Sequence, residues 1–224
     1  MTMKLFVLGA TGNTGREVVA LALRRGHQVT AFVRSPHKLV QAHRALRVVA
    51  GDLCDAGQLA ASMDGHDAVI SVLGPRPLKA FRPSNLLTEL AAGTVAGMQS
   101  AGVPRLAILS AALLFPGGGV AFAFMRWLLR HHVEDLSGME AVTRATPFDW
   151  TIARPPRLVH ALDEAYTCSG GTLPNGAFSM SFRATAAFLV DCVEQAAFVR
   201  EVVGLRAAAD VPATGCDPAE GPGS

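Results

Sequence analysis

The stretch KLFVLGATGNTGREVVALALRR, residues 4–25, decides the fold class. It begins with a short apolar run, Lys4–Leu8, whose continuous hydrophobicity is typical of a strand buried on both faces of a parallel sheet. A glycine-rich loop, Gly9–Gly15, follows directly, and Thr14–Arg25 then carries apolar residues at helical spacing and stops at Gly26. A strand, a tight loop and a helix in this order predict the first unit of an α/β fold.

The rest of the chain repeats this alternation of strand and helix. Because helix-length segments separate successive strands, we expect crossover connections between parallel strands. Crossovers are nearly always right-handed, so helices cover both faces, and the predicted fold is a doubly wound parallel α/β sheet. The further predicted strands are Gln28–Val33, Leu46–Ala50, Asp67–Leu73, Arg105–Ser110, Phe148–Ala153 and Val202–Ala207, and the further helices are Gly57–Met63, one capped by Ser84 and ending near Ala101, one within Arg126–Ala145, and Phe182–Gln195.

The length and composition bound the domain count and the partners. The 224 residues fit one large domain or two small ones, and no linker rich in proline, glycine and serine divides them in the middle. We predict one domain over residues 1–209 and a flexible tail over residues 210–224. Half of the chain is hydrophobic and 17% is charged, which excludes disorder. The net charge of +2 is too small to favour a nucleic-acid or membrane partner.

Cysteine spacing and apolar segments indicate the compartment. The four cysteines, Cys54, Cys168, Cys192 and Cys216, show no metal-binding spacing, so we expect unpaired thiols and no metal. The apolar run at the N-terminus is too short for a signal peptide. The later run Val120–Leu129 contains an arginine and is well under the roughly 18–20 residues that cross a bilayer. We expect a soluble cytoplasmic protein.

The glycine-rich loop predicts a dinucleotide site. Gly9 permits the tight turn after the strand, Gly12 lets the backbone approach a pyrophosphate, and Gly15 lets the helix pack on the strand. The start of the helix offers unpaired N–H groups and the positive end of its dipole to the phosphates. The spacing is G-x-x-G-x-x-G rather than the commoner G-x-G-x-x-G, but the strand before it and the helix after it supply the required context. A purely structural turn is the alternative.

The end of the second predicted strand indicates which dinucleotide binds. An NAD site usually places Asp or Glu here, about 20 residues after the loop, to hold the ribose 2′-hydroxyl. This strand instead ends in RSPHK, residues 34–38, which contains no carboxylate. The guanidinium of Arg34 can pair with a 2′-phosphate, Ser35 can donate a hydrogen bond, and Lys38 adds positive charge. We therefore expect NADP(H); the alternative is that Arg34 only solvates the strand end.

Residues after the other strands are further cofactor candidates, because ligands of open α/β sheets lie beyond the carboxyl ends of the strands. Asp52 and Leu53 would meet the adenine, and Leu73 and Gly74 would pass near the second ribose. Pro155 follows the sixth strand, near the expected place of the nicotinamide. For each of them an ordinary turn residue is the alternative.

Six segments together resemble the NAD(P)H-binding atypical short-chain dehydrogenase/reductases, nearest to the NmrA-like and the biliverdin- and flavin-reductase-like groups. They are GATGNTG (9–15), FVRSPHKL (32–39), GDLCD (51–55), DAVISVLG (67–74), LAILSAA (106–112) and DWTIARPPRL (149–158). The resemblance covers about residues 3–207 and implies a single Rossmann-type domain with a small substrate-side elaboration. It implies NADP(H) contacts from Gly9, Thr11, Gly12, Asn13, Thr14, Gly15 and Arg34, and site roles for Asp52, Leu53 and Ser110.

The proton donor of most short-chain reductases is absent from the sequence. Those enzymes use a Tyr-x-x-x-Lys pair, in which the lysine and the cofactor lower the tyrosine pKa. The one tyrosine here, Tyr166, has Gly170 four residues on, and no lysine follows Lys79. The family's D-x-x-x-x-E pattern falls on Asp135 and Glu140, which we interpret as structural.

Ser110 is the remaining catalytic candidate. It ends the fifth predicted strand, where related reductases place a serine near the nicotinamide, and its hydroxyl could bind a substrate oxygen. A strand-end serine bonded to the backbone is the alternative. His131 and His132 could relay protons, but neighbours on a helix point about 100° apart, so at most one faces the cleft.

The acceptor and the activity stay open between two hypotheses. The apolar segment Leu113–Leu129 follows Ser110, and we expect it to cap the cleft and form an acceptor pocket, with ordinary packing as the alternative. The first hypothesis is an NADP(H)-dependent oxidoreductase that transfers hydride to a small planar or apolar acceptor, such as a flavin or quinone. The second is a non-catalytic NADP(H) redox sensor of the NmrA-like kind. Sugar-nucleotide modification is a weaker third, and both a monomer and a homodimer stay open.

Overall fold

The structure is a computed structural model that describes residues 1–74, 83–117, 119–175, 178–208 and 215–217. Its strands are β1 Lys4–Leu8, β2 Gln28–Val33, β3 Leu46–Ala50, β4 Ala68–Ser71, β5 Arg105–Leu109, β6 Asp149–Arg154, β7 Arg157–Val159, β8 Tyr166–Gly170, β9 Ser179–Ser181, β10 Glu201–Ala207 and β11 Gly215–Asp217. Its helices are α1 Asn13–Arg24, α2 Ala56–Met63, α3 Leu86–Ala101, α4 Gly119–Leu128, α5 Arg130–Arg144 and α6 Phe182–Glu194.

Within the described ranges, nine strands form one sheet in the order β11-β8-β10-β6-β5-β4-β1-β2-β3. The strands from β10 to β3 are all parallel, whereas β8 runs antiparallel to β10. The order reverses at β1, which pairs with β2 on one side and β4 on the other, so a crevice opens beyond its carboxyl end. The predicted Rossmann-type, doubly wound α/β fold is confirmed.

Both faces of the sheet are covered, which explains why β1 is apolar throughout. Its side chains alternate between two buried clusters, with Leu5 and Val7 in one and Phe6 and Leu8 in the other. Helices α1 and α6 pack together on the first face, and α2, α3 and α5 form a row on the second. Burying apolar side chains on both faces fixes the crevice on a rigid support.

Three sequence expectations need correction. The helix predicted within Arg126–Ala145 is confirmed as α5, but the separate helix before it, α4 from Gly119 to Leu128, was not predicted. The sheet is not wholly parallel, since β8 was not predicted and runs antiparallel. Cys54 and Cys192 are free, but Cys168 is disulfide-bonded, so the expectation of unpaired thiols is wrong there.

The predicted tail over residues 210–224 lies outside the described residues, except for Gly215–Asp217, which pair with β8. In the part of the chain that the structure describes, no helix has the length and apolar character needed to cross a membrane.

Candidate functional site

A cleft of about 590 Å³ opens at the carboxyl ends of the central strands. It is lined by the loop after β1, by the segments around and after the ends of β2, β3 and β4, and by the end of β5, the middle of β7 and the start of α6. The predicted cofactor residues in its lining are Gly9, Thr11, Gly12, Asn13, Thr14, Arg34, Lys38, Leu53, Leu73 and Gly74. The sequence therefore brings most of the predicted cofactor residues to one cleft.

The glycines of the loop are required by close backbone contacts. Gly9 has a φ of +86°, and a Cβ there would lie 2.7 Å from the carbonyl oxygen of Val72. The N–H of Gly12 donates to the Gly9 carbonyl at 3.0 Å and closes the turn. A Cβ at Gly15 would lie 2.1 Å from that same carbonyl oxygen, so Gly15 serves helix packing rather than the cleft wall.

Helix α1 begins as an open anion site. Gly12 caps it without a side-chain hydrogen bond, and its first turn contains no acidic residue. The first N–H groups of a helix have no partner within the helix, so those at Asn13 and Thr14 are left for an acceptor in the cleft. Together with the positive end of the helix dipole, this arrangement fits a pyrophosphate.

Positive charge gathers at the end of β2. Arg34, Ser35 and Lys38 line this end of the cleft, and no carboxylate lies among the described residues of its lining. Arg34 is exposed, with no hydrogen bond or ion pair to the described residues. The guanidinium of Arg16 donates to the Lys38 carbonyl at 3.0 Å, which ties the segment to α1. A phosphate entering this end would meet two cations held near the start of a helix.

Asp52 and Leu53 are both predicted to meet the adenine, but they have different roles in the structure. Leu53 is buried and lines the cleft. The Asp52 carboxylate accepts the N–H of Cys54 at 3.0 Å, and its own N–H donates to the Gln58 side chain at 3.2 Å. Asp52 therefore shapes the turn that presents Leu53, and it lies outside the lining of the cleft.

Ser110 belongs to a buried network of charges. Its hydroxyl donates to Oε1 of Glu140 at 2.6 Å, and both residues are less than one tenth exposed. Glu140 also accepts from Nε and Nη2 of Arg154 at 2.9 and 2.7 Å and from Arg144 at 2.5 Å. The Ser110 proton thus points toward Glu140, and Ser110 lies outside the cleft lining. Its catalytic role stays a prediction.

The neighbouring predicted residues also have structural contacts. The carbonyl of Pro155 accepts the N–H of Ala112 at 2.8 Å, and Pro155 does not line the cleft. The Asp135 carboxylate accepts hydrogen bonds from the N–H groups of Leu87 and Thr88 at 3.1 and 3.0 Å, so this side chain of α5 caps the start of α3. These contacts agree with the structural interpretation of the D-x-x-x-x-E pattern.

Tyr166 and the paired histidines lie away from the cleft. The Tyr166 hydroxyl donates to Asp191 at 2.5 Å, and burial together with this carboxylate raises the pKa of Tyr166. His131 pairs with Glu134 at 3.4 Å, and burial lowers the pKa of His132. None of these side chains lines the cleft. Across the described ranges, no group of three or more His, Cys, Asp or Glu is placed to hold a metal.

The apolar segment after Ser110 lines a second cavity instead of the cleft. This cavity has a volume of about 400 Å³, and Phe115 and Phe122 of the segment face Phe178 and Arg206 across it. The rings of Phe122 and Phe178 lie 6.1 Å apart. Trp127 is 61% exposed, so part of the segment faces solvent. The described residues give the segment no place in the cleft wall.

Sequence reasoning missed the far end of the cleft. Leu109, Leu158 and Phe182 line it there, and the ring of His160 lies 4.8 Å from that of Phe182. No local pattern in the sequence marks these three residues as neighbours, because they come from β5, β7 and α6, which lie far apart along the chain.

Known proteins share this fold. The oxidoreductase stcQ of Emericella nidulans is 32% identical over 180 residues, which cover 69% of this chain and 65% of that protein. A wide-type short-chain dehydrogenase/reductase of Veillonella parvula, solved in complex with NADP, has a TM-score of 0.74 at 19% identity, covering 92% of this chain and 94% of that one. A protein of Streptococcus pneumoniae, provisionally assigned as an NADH-flavin reductase, has a TM-score of 0.72 at 22% identity, covering 92% and 100%.

The two structures are likenesses of fold, given their low identity. Three curated relatives are covered to 65%, 26% and 18% of their own length, less than two thirds in each case. A family model described as NAD(P)H-binding matches residues 9–196, from the first glycine of the loop to just beyond α6. With most of the chain matched and the phosphate loop in place, the chain belongs to this NAD(P)H-binding family.

Proposed function

We propose that the protein is an NADP(H)-dependent oxidoreductase that transfers hydride to a small planar or apolar acceptor, such as a flavin or a quinone. The observation that carries this proposal is the charge of the cleft. Arg34 and Lys38 are the charged side chains in its described lining, and both lie at the end of β2. A 2′-phosphate is the part of NADP that NAD lacks, and a guanidinium binds it well.

The far end of the cleft suits an apolar acceptor. Leu109, Leu158 and Phe182 line the cleft, and Leu109 ends β5, which lies two strands from β1 on the side away from β2. The bound nicotinamide would supply the hydride, and these residues would orient the acceptor and exclude water. Tyr166 is buried against Asp191, so we propose that reduction proceeds without a Tyr–Lys pair.

The relatives support a reductase. The protein stcQ is named an oxidoreductase, the Veillonella parvula structure holds NADP, and the Streptococcus pneumoniae protein carries an NADH-flavin reductase assignment. The reaction that these names share is transfer of hydride to or from a nicotinamide.

The test incubates the pure protein with NADPH and a panel of flavins and quinones, and follows the loss of nicotinamide absorbance. We expect consumption above the blank, faster with NADPH than with NADH. The control is Gly9→Ala, which places a methyl group against the Val72 carbonyl and narrows the phosphate loop, with circular dichroism as the check of folding. Tight NADP⁺ binding without any consumption would favour the redox sensor instead.

A further inference from the structure

The second cavity, which Phe115, Phe122, Phe178 and Arg206 line, has the size and the walls of a site for a small planar ligand. Its volume of about 400 Å³ lies within the range of about 300–1,000 Å³ that is usual for small-molecule pockets. The rings of Phe122 and Phe178 lie 6.1 Å apart at an angle of 45°, so an aromatic ligand in the cavity would meet both of them. Phe178 is 70% exposed, and such a ligand would cover part of this ring.

The walls of this cavity are held in place by contacts on their outer sides. Phe115 is buried, and its ring centre lies 4.7 Å from the guanidinium carbon of Arg154. Arg126 of α4 donates a hydrogen bond to the Phe115 carbonyl at 3.2 Å. In another part of the wall, a Cβ at Gly204 would lie 2.0 Å from the Thr172 carbonyl oxygen, so Thr172 lies directly against β10. Walls that are fixed in advance lose little conformational freedom when a ligand binds.

Arg206 of β10 places a positive charge in these aromatic walls. It is 6% exposed, its Nε donates to the Pro174 carbonyl at 2.7 Å, and its guanidinium carbon lies 5.3 Å from the centre of the Phe178 ring. Burial lowers the pKa of Arg206, because fewer water molecules solvate its charge. No carboxylate stands among the described residues that line this cavity. Arg206 has a further interaction in the structure, but a guanidinium carries five N–H donors and serves several acceptors at once.

We propose that this cavity is a binding site, separate from the cofactor cleft, for a small planar aromatic carboxylate. The aromatic part of the ligand would lie against the rings of Phe122 and Phe178, and its carboxylate would meet Arg206, whose planar guanidinium matches a carboxylate in shape and charge. A neutral aromatic compound would fill the same space without pairing with the buried charge, so the site selects the anion. The cavity shares no described lining residue with the cleft, and the proposal does not rest on the proposed function.

The test titrates the pure protein with 2-naphthoate and with its neutral analogue 2-naphthamide by isothermal titration calorimetry, without a nicotinamide cofactor. We expect one 2-naphthoate to bind per chain, and we expect the Kd of 2-naphthamide to be about 20-fold higher, because it cannot form a hydrogen bond between charged groups. Saturating NADP⁺ should leave the Kd of 2-naphthoate within a factor of two, since the cofactor binds elsewhere.

Two variants and a matched control place the ligand in the cavity. Phe178→Ala removes an exposed ring of the wall and should raise the Kd of 2-naphthoate about 5-fold, whereas Phe124→Ala removes an exposed ring of α4 outside the lining and should leave it unchanged. Arg206→Gln should bring the Kd values of the two compounds within a factor of two of each other, with circular dichroism as the check of folding. If Arg206→Gln does not fold, the comparison of the two compounds on the wild-type protein decides.

Four results would each overturn the proposal. They are equal Kd values for the two compounds on the wild-type protein, displacement of 2-naphthoate by NADP⁺, an unchanged Kd in Phe178→Ala, and no binding of either compound. None of them bears on the reductase proposal, because no step of this test measures NADPH consumption.

Discussion

We expect Arg34→Ala to weaken the binding of NADPH and to leave the binding of NADH unchanged. The guanidinium is exposed at the end of β2, and no carboxylate in the described lining of the cleft competes with a phosphate for it. A charge-assisted hydrogen bond contributes about 1.5–3 kcal/mol, and exposure to solvent places this pair in the lower half of that range. A loss of about 2 kcal/mol raises the Kd about 30-fold.

The assay is a fluorescence titration of the protein with NADPH and with NADH. We expect the Kd for NADPH to rise about 30-fold in Arg34→Ala and the Kd for NADH to stay within a factor of two, because NADH has no 2′-phosphate. Lys38→Ala should weaken the binding of NADPH by a smaller factor, since an ion pair with an exposed ammonium contributes about 0.2–1 kcal/mol. Arg34→Asp should move the preference to NADH by accepting from the ribose 2′-hydroxyl.

The matched control is Arg44→Ala, which removes an exposed arginine near the amino ends of β2 and β3, whereas Arg34 follows the carboxyl end of β2. It should leave both Kd values unchanged and so exclude a general effect of net charge. If Arg34→Ala keeps the wild-type ratio of the two Kd values, the 2′-phosphate does not bind at the end of β2, and the reasoning from the charge of the cleft is wrong.

Three other predictions concern the scaffold. Gly15→Ala places a methyl group 2.1 Å from the Gly9 carbonyl oxygen, so the Tm of this variant should fall and NADP⁺ should not restore the wild-type value. An unchanged Tm would contradict the packing argument. Glu140→Gln leaves the buried guanidinium of β6 without its counter-charge and should cost about 3–5 kcal/mol in urea unfolding, whereas the exposed Glu134→Gln should cost less than about 1 kcal/mol. Burial raises the pKa of Cys192 to about 12, so iodoacetamide at neutral pH should label the exposed Cys54 and leave Cys192 unlabelled. The stability that the neutral thiol of Cys192 contributes should be lost as the pH rises from about 9 to 12. Labelling of both thiols in the native protein would refute this prediction.

The cofactor half of the site was readable from the sequence because its signals are local. A strand buried on both faces gives a continuous apolar run, and a turn with a φ of +86° requires glycine, so β1, the loop and α1 could be placed within a residue or two. The lack of a carboxylate after β2 is equally local. These features depend on neighbours in the chain and not on distant contacts.

The other half of the site depends on distant contacts, which the sequence does not display. Strands β7 and β9 have three residues each, and they exist because they pair with one another across about twenty intervening residues. The position of Ser110 at the end of β5 was predictable, but the direction of its hydroxyl is set by Glu140, thirty residues further on. Helix α4 is apolar around most of its circumference, so no polar face marked its period.

The lining of the cleft divides cleanly along the chain. Fourteen of the described lining residues lie at or before Gly74, and the other three are Leu109, the last residue of β5, with Leu158 and Phe182. Under the proposed function, the stretch up to Gly74 holds the cofactor and the later residues contact the acceptor. On that proposal, exchange of Leu109, Leu158 and Phe182 would change the acceptor preference and leave every residue of the nucleotide site in place.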